Sequence, residues 1–134
     1  LRVDLGERVD LAGYDLAADR VAPGDTVDLT LYWHPQGRIP QNLKVFAHLV
    51  GLDGKIVAQR DNVPAEGARP TTGWRPGEYI ADRYRIAVPR NLAPGRYELR
   101  VGLYDPATDE RLPVSVDGAP QPNGQAILTE ITVG

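Results

Sequence analysis

The sequence predicts an all-β protein, folded as a two-sheet antiparallel β-sandwich of roughly seven to nine short strands. Three Pro-Gly pairs, at 23–24, 76–77 and 94–95, each precede a run with the composition of a strand. Proline fixes φ and glycine accepts positive φ, so such a pair favours a tight turn. Large apolar residues also alternate with polar ones through Thr26–His34 and Arg96–Tyr104, which is the spacing of a sheet with one buried face.

The N-terminal part of the chain supplies the first predicted strands. Leu1–Leu5 and Val9–Leu16 are interpreted as one or two opening strands, with Gly6 and Gly13 at turn or bulge positions. Thr26–His34 follows the first Pro-Gly turn and alternates regularly. Its inward positions are expected to be Val27, Leu29, Leu31 and Trp33.

The middle of the chain carries a predicted hairpin and a long loop. Leu43–Val50 is apolar on both faces, so we expect it to lie in the interior of a sheet. Asp53 and Gly54 favour a tight turn, from which Ile56–Asp61 returns antiparallel. Asn62–Gly73 shows no alternation and is predicted to be a surface loop.

The C-terminal part contributes the remaining strands. Tyr79–Val88 follows the second Pro-Gly pair, and Arg96–Tyr104 follows the third. A turn rich in acidic residues leads into Leu112–Val116, and Asp117–Gly124 is predicted to be a second loop. Ala126–Val133 is expected to close the sheet. Its inward positions are expected to be Ile127, Thr129, Ile131 and Val133.

Length and composition fit one soluble domain spanning residues 1–134. The 134 residues are 42% hydrophobic and 25% charged, as in an ordinary globular protein. The net charge of −3 gives no reason to expect nucleic acid as a partner. The chain has no cysteine, no methionine and no apolar stretch of about 18 residues. We therefore expect no membrane insertion by this segment and interpret it as a soluble piece of a longer protein.

No catalytic or metal-binding motif stands out in the sequence. His34 and His48 lack neighbouring ligands or a nucleophile in a recognised arrangement, and Ser115 lacks the Gly-x-Ser-x-Gly context. The acidic residues are spread over turns and outward strand positions, where solvation accounts for them. We therefore expect no enzyme activity and no cofactor.

Asp82 is a carboxylate that the alternation places on an apolar face, in phase with Ile80 and Tyr84. An unpaired buried charge is too costly for a domain of ordinary stability. We therefore expect Arg83, Arg85 or another donor to pair with Asp82. The alternatives are a bulge that turns it outward or a strand that begins after it.

The aromatic residues give the remaining indications of function. Trp33 is in phase with the core, and Tyr97 has the position of a sandwich-corner tyrosine, whose hydroxyl bonds to nearby backbone. Trp74 lies in a loop next to Arg75, with Tyr79 close by. A surface Trp-Tyr pair is suited to stacking on a sugar ring or anchoring a partner protein, so Trp74, Arg75 and Tyr79 are the candidate ligand-binding residues. The alternative is that Trp74 folds over an open end of the sandwich.

Five segments, taken in order, resemble one protein family. They are Pro-Gly-Asp-Thr-Val-x-Leu-x-Leu-x-Trp (23–33), Val-Phe-Ala-His-Leu (45–49), Asp-Gly-Lys-Ile-Val-Ala-Gln-Arg-Asp (53–61), Trp-Arg-Pro-Gly-Glu (74–78) and Pro-Gly-Arg-Tyr-Glu-Leu-Arg-Val-Gly-Leu-Tyr-Asp (94–105). The set resembles the soluble C-terminal β-sandwich domain of bacterial membrane proteins related to dolichyl-phosphate-mannose-type and aminoarabinose-type glycosyltransferases. The resemblance covers nearly the whole chain. It implies an accessory domain on the extracytoplasmic side of the cell membrane, separate from the catalytic part, with a glycan or the membrane part of the parent protein as its partner.

Single motifs of this set are shared more widely. The Pro-Gly-Asp-Thr-Val and Pro-Gly-x-Tyr openings also occur in fibronectin-like, macroglobulin-like and proteinase-inhibitor domains, so an immunoglobulin/fibronectin-like sandwich is expected. A shared fold does not transfer function. The leading hypothesis is a non-catalytic binding or spacer domain. The alternatives are a carbohydrate-binding module that uses surface aromatics, and a proteinase-inhibitor-like domain that presents Asn62–Gly73 to a protease cleft.

Overall fold

The computed structural model describes residues 2–134, where the regular structure is β apart from two single turns of 3₁₀ helix, Thr71–Gly73 and Pro122–Gly124. Leu1, the first residue of a predicted strand, lies outside the described residues. The strands in this range are β1 (Val3–Leu5), β2 (Val9–Leu16), β3 (Arg20–Val21), β4 (Thr26–Pro35), β5 (Lys44–Val50), β6 (Ile56–Asn62), β7 (Ile80–Ala87), β8 (Gly95–Asp105), β9 (Glu110–Arg111), β10 (Val114–Val116), β11 (Ala119–Gln121) and β12 (Ala126–Val133). The all-β prediction is confirmed.

The strands form two sheets. The first sheet has the order β11-β10-β1-β2-β4-β7, and the second has the order β3-β12-β8-β5-β6, with β9 paired to β8. Strand β3 pairs with β12 in parallel, whereas the other pairs in residues 2–134 are antiparallel. The prediction of seven to nine strands is therefore wrong, while antiparallel pairing holds for every described pair except β3 with β12. The extra strands β3, β9 and β11 have two or three residues, too few to show alternation, and β11 lies within the predicted loop Asp117–Gly124.

Both sheets contribute to one hydrophobic core. The predicted inward residues of β4, which are Val27, Leu29, Leu31 and Trp33, each have 0% exposure. The second sheet adds residues of β5, β8 and β12 to the same core, among them Val45, Leu49, Leu99, Val101 and Ile131. Removal of this apolar surface from water is the main stabilising contribution to such a fold.

Two local predictions about turns are confirmed. Gly24 and Gly77 have φ values of 90° and 87°, so these Pro-Gly pairs supply the positive φ that the turns need. Tyr97 is 8% exposed, and its hydroxyl donates to the carbonyl oxygen of Ala93 at 2.6 Å. This bond is the one expected of a corner tyrosine and fixes the entry into β8.

Strand β12 departs from the predicted alternation. Its register with β8 shifts between Ile127 and Thr129, as it does at a β-bulge. The extra residue changes the phase, so Ala126 is buried and Ile127 is 48% exposed. The prediction that Ile127 faces inward is wrong, while Ile131 and Val133 are buried as predicted.

Candidate functional site

Trp74 is an interior residue. Its side chain has 0% exposure, and its Nε1–H donates to the carbonyl oxygen of Arg69 at 2.9 Å. The ring centroid lies 6.5 Å from that of Trp33, with 30° between the planes. A buried ring has no free face for a sugar or a partner protein, so the ligand-stacking role predicted for Trp74 is wrong. The packing of Trp74 on Trp33 agrees with the alternative interpretation, a loop tryptophan that covers the core.

The loop before Trp74 has a second anchor at Thr71. This side chain is buried, and its hydroxyl donates to the carbonyl oxygen of Gln41 at 2.7 Å and accepts from the N–H of Leu43 at 2.9 Å. The segment Asn62–Gly73 is therefore tied to a neighbouring loop by buried hydrogen bonds. This arrangement gives no support to the inhibitor hypothesis, which needs a loop that projects into a protease cleft.

A third anchor is the carboxylate of Asp82 on the inner face of β7. Asp82 has 0% exposure and accepts hydrogen bonds from Nε1–H of Trp33 at 2.9 Å and from the N–H of Ala65 at 2.7 Å. Burial raises the pKa of Asp82 above its ordinary value, and these two hydrogen bonds oppose the rise. The donors that satisfy Asp82 are thus an indole and a backbone amide. Arg83 instead pairs with Asp28 at 2.8 Å.

Tyr79 presents an exposed aromatic ring in a fixed orientation. Its side chain is 66% exposed, and its ring stacks on that of His34 at 4.2 Å between centroids and 18° between planes. Nδ1 of His34 lies 3.0 Å from the carbonyl oxygen of Glu78, within hydrogen-bonding distance. The imidazole covers one face of the tyrosine ring, and the other face is left to solvent.

Glu78, which precedes Tyr79 in the sequence, carries a carboxylate with two hydrogen-bond donors. Its Oε1 accepts from the backbone N–H of Arg75 at 2.9 Å and from Nη2 of Arg69 at 2.6 Å. The N–H of Arg75 is the main reason that the pKa of Glu78 is lowered, and Arg69 adds to the effect. Both donors bind Oε1, and the second oxygen accepts no hydrogen bond within residues 2–134. We call Tyr79, His34, Glu78 and the exposed Arg75 the Tyr79 platform.

The platform contains two of the three predicted site residues, Arg75 and Tyr79, and two residues for which the sequence predicted no ligand role, His34 and Glu78. The pairing of β4 with β7 is the feature that would have placed His34 beside Tyr79. Trp33 is the register partner of Ile80, so their neighbours His34 and Tyr79 lie next to each other on the opposite face. The strands were predicted, but their adjacency and register were not.

A second polar and aromatic cluster lies on the outer face of the second sheet. His48 is 5% exposed, and its Nε2 has no hydrogen-bond partner but lies 3.4 Å from Oδ1 of Asp61. The guanidinium of Arg111 covers the ring of Phe46 at 4.1 Å from its centroid. Burial and the nearby charge of Asp61 raise the pKa of Tyr104. Phe46 and His48 are both buried, and they line a cavity of about 250 Å³ together with Asp61, Tyr104, Asp109 and Arg111.

Two wider properties bear on the kind of site. Among residues 2–134, no group of three or more His, Asp or Glu side chains is placed to hold a metal ion. The same stretch contains no helix long and apolar enough to cross a membrane.

No protein-family model matches the chain, and no curated protein matches it. Similar folds occur among solved structures. An alkylpurine DNA glycosylase AlkC from Pseudomonas fluorescens, bound to DNA with an abasic-site analogue, matches 95% of this chain with a TM-score of 0.57 and 18% identity. The chain spans only 30% of that glycosylase chain. A Niemann-Pick type C2 protein from the Japanese carpenter ant matches 92% of this chain and 91% of its own, with a TM-score of 0.59 and 9% identity. At such identities the likeness is one of fold alone.

Proposed function

We propose that this chain is a non-catalytic binding domain, an immunoglobulin/fibronectin-like β-sandwich that serves as the extracytoplasmic part of a larger membrane glycosyltransferase-like protein. The order of the five motifs in the sequence supports this class. The occurrence of a similar fold as 30% of the glycosylase chain supports the use of such a domain as one part of a longer protein. In this proposal the catalytic steps belong to the parent protein, and the domain contributes recognition.

The observation that carries the binding role is the Tyr79 platform. The ring of Tyr79 is 66% exposed, so it leaves apolar surface in water that a ligand could cover. The orientation of the ring is already fixed by stacking on His34. A fixed ring loses little conformational entropy on binding. The ligand class that fits a flat ring beside a carboxylate is a sugar, whose C–H face stacks on tyrosine while a hydroxyl donates to Glu78.

Rigidity of the platform comes from the core. Trp74 fixes the loop through Arg69, whose side chain holds Glu78, and Glu78 in turn accepts the N–H of Arg75. The platform thus has the properties of a small pre-organised binding surface, with one aromatic contact. Stacking of one ring is worth roughly 1–3 kcal/mol on the scale measured for nucleobases, so weak binding to a single sugar unit is expected.

The binding role is tested by NMR. A ¹⁵N-labelled domain is titrated with a panel of neutral oligosaccharides, and amide shifts around Tyr79 are followed. We expect Tyr79→Ala to weaken binding by about fivefold to 150-fold, which corresponds to about 1–3 kcal/mol. Tyr79→Phe keeps the ring and should bind like the wild type. Leu52→Ala, at an apolar residue that is 85% exposed, is the matched control for loss of surface hydrophobicity. A panel without any response at Tyr79 refutes the carbohydrate role.

The parent protein is tested by its gene. Sequencing of the reading frame on both sides of this segment should reveal several membrane-spanning segments and a glycosyltransferase-like region in the same frame. A reading frame that encodes this domain alone refutes the accessory role, and leaves the carbohydrate titration as an independent question.

A further inference from the structure

A groove lies where the exposed edges of the two sheets meet. Strand β7 is the last strand of the first sheet, and β6 is the last strand of the second. Between them is a cavity of about 460 Å³. Its lining residues are Arg60, Asn62, Glu66, Arg83 and Arg85. None of these residues belongs to the Tyr79 platform, so the groove is a separate feature of the surface.

The groove concentrates positive charge on a molecule that is negative overall. It is lined by three guanidinium groups and one carboxylate, while the whole chain has a net charge of −3. Asp28 pairs with Arg83 and neutralises its charge, and the carboxylate of Glu66 offsets a second guanidinium group. One of the three positive charges is then left in excess. Arginine is the side chain best suited to bind an oxyanion through two parallel hydrogen bonds.

Arg83 is held in place for this role. Its Nε and Nη2 donate to the two carboxylate oxygens of Asp28 at 3.1 and 2.8 Å. The guanidinium is therefore clamped along one edge, and its Nη1 makes no hydrogen bond within residues 2–134. The mutual attraction lowers the pKa of Asp28, mainly through the hydrogen bond from Arg83. A clamped donor needs less ordering when a ligand binds.

The other donors of the groove are uncommitted. In the described part of the chain, neither Arg60 nor Arg85 has a carboxylate within the 4.0 Å that defines an ion pair. The amide oxygen of Asn62 accepts from the N–H of Val63 at 2.8 Å, so its NH₂ group is left as a donor. Two adjacent edge strands would normally carry opposite charges that pair with each other. Here β6 and β7 both present hydrogen-bond donors to the groove.

We propose that this groove binds one oxyanion group, a phosphate or a carboxylate, of a small ligand. Arg60 and Arg85 supply the contacts, and Arg83 and Asn62 complete the set of donors. The shared chemistry is a compact negative charge with several acceptor oxygens. An extended polyanion does not fit, because the groove carries a single excess positive charge and the molecule as a whole is anionic.

The test is a titration of the ¹⁵N-labelled domain with inorganic phosphate, with acetate and with chloride at constant ionic strength. Amide and arginine Nε shifts at Arg60 and Arg85 should respond to phosphate or acetate, and chloride should produce no comparable shift. Saturation by phosphate alone assigns the source as a phosphate group, and saturation by acetate alone assigns a carboxylate. Responses of the same size to all three anions overturn the proposal.

Substitutions separate this site from general charge effects. Arg60→Gln and Arg85→Gln should each weaken binding about tenfold, since each removes charged hydrogen bonds. Glu66→Gln should strengthen binding, because it removes the negative charge at the lip of the groove. Arg38→Gln, at an exposed loop position outside the groove, is the matched control and should leave binding unchanged. An equal loss in Arg38→Gln, or no loss in the groove variants, overturns the proposal. All four residues are exposed, so each variant should fold, and circular dichroism checks this.

Discussion

Replacement of Trp74 by alanine tests whether this ring anchors the loop to the core. The side chain has 0% exposure and donates one hydrogen bond at 2.9 Å. Truncation of a buried tryptophan to alanine costs about 3–5 kcal/mol, because apolar contacts are lost and a cavity is left. The unpaired carbonyl oxygen of Arg69 adds about 1 kcal/mol if water does not reach it. The expected loss in the free energy of unfolding is therefore about 4 kcal/mol from truncation alone and about 5 kcal/mol with the unpaired carbonyl oxygen.

A loss of this size is large for the whole domain. A single domain has a stability of about 5–15 kcal/mol, and for 134 residues a loss of about 4 kcal/mol lowers Tm by roughly 14 °C. The assay is urea unfolding followed by far-UV circular dichroism, because the substitution removes a fluorophore. Trp74→Phe is the matched variant. It keeps most of the ring but lacks the indole N–H, so it should lose about half as much.

The reasoning is refuted if the free energy of unfolding of Trp74→Ala lies within about 0.5 kcal/mol of the wild type, since that is the usual range for a surface substitution. Such a result would mean that the ring is accessible, and the original stacking hypothesis for Trp74 would return. Equal losses for the alanine and phenylalanine variants would instead assign the anchor to the hydrogen bond rather than to ring packing.

Three further predictions concern the core. Burial raises the pKa of Asp82 above 3.8, so the folded protein binds the Asp82 proton more tightly than the unfolded chain does. Protonation of Asp82 therefore adds to the free energy of unfolding; this contribution is complete below the pKa of the unfolded chain and is lost as pH rises through the pKa of the folded protein. A ¹³C carboxyl titration of Asp82 with its midpoint at or below 3.8 would contradict this prediction. Gly102→Ala places a Cβ in overlap with the ring of Phe46, which cannot move away freely because it is 1% exposed. We therefore expect a loss of about 1–3 kcal/mol in urea unfolding, and a neutral result would show that the ring can shift. Tyr97→Phe removes the bond to Ala93 and should cost about 1 kcal/mol without changing the fold, as judged by Tm and circular dichroism; an unchanged Tm would show that the corner bond contributes nothing.

The alternation of side chains predicted the strands well because it is a local property. In β4 every second residue from Val27 to Trp33 is fully buried, as a half-buried strand requires. The same rule failed in β12, where a bulge next to Ile127 changes the phase and nothing in the composition announces it. Alternation therefore predicts a strand, but it does not predict where the ladder slips.

The candidate site was harder to predict because its contacts join distant parts of the chain. The sequence left two interpretations open for Trp74, a surface residue or a ring folded over an open end of the sandwich, since its loop has no alternation and contains Pro and Gly. Its burial depends on Trp33 and on the sheets that bring the two rings to 6.5 Å. The partners of Asp82 come from β4 and from Ala65, which is 17 residues away in sequence. Sequence reasoning established that Asp82 needs a donor, but only the tertiary structure identifies it.

The anchors of the loop and the two proposed sites are connected through β7. Asp82 points inward and holds the loop at Ala65, while its neighbour Arg83 points outward into the groove and pairs with Asp28. Tyr79 of the platform immediately precedes the first residue of the same strand. Because side chains alternate across a strand, inward residues of β7 fix the loop and outward ones present charge. Loosening of the inner anchors should therefore disturb both sites, because the loop that they hold carries Arg69, which binds Glu78, and also Asn62 and Glu66 of the groove.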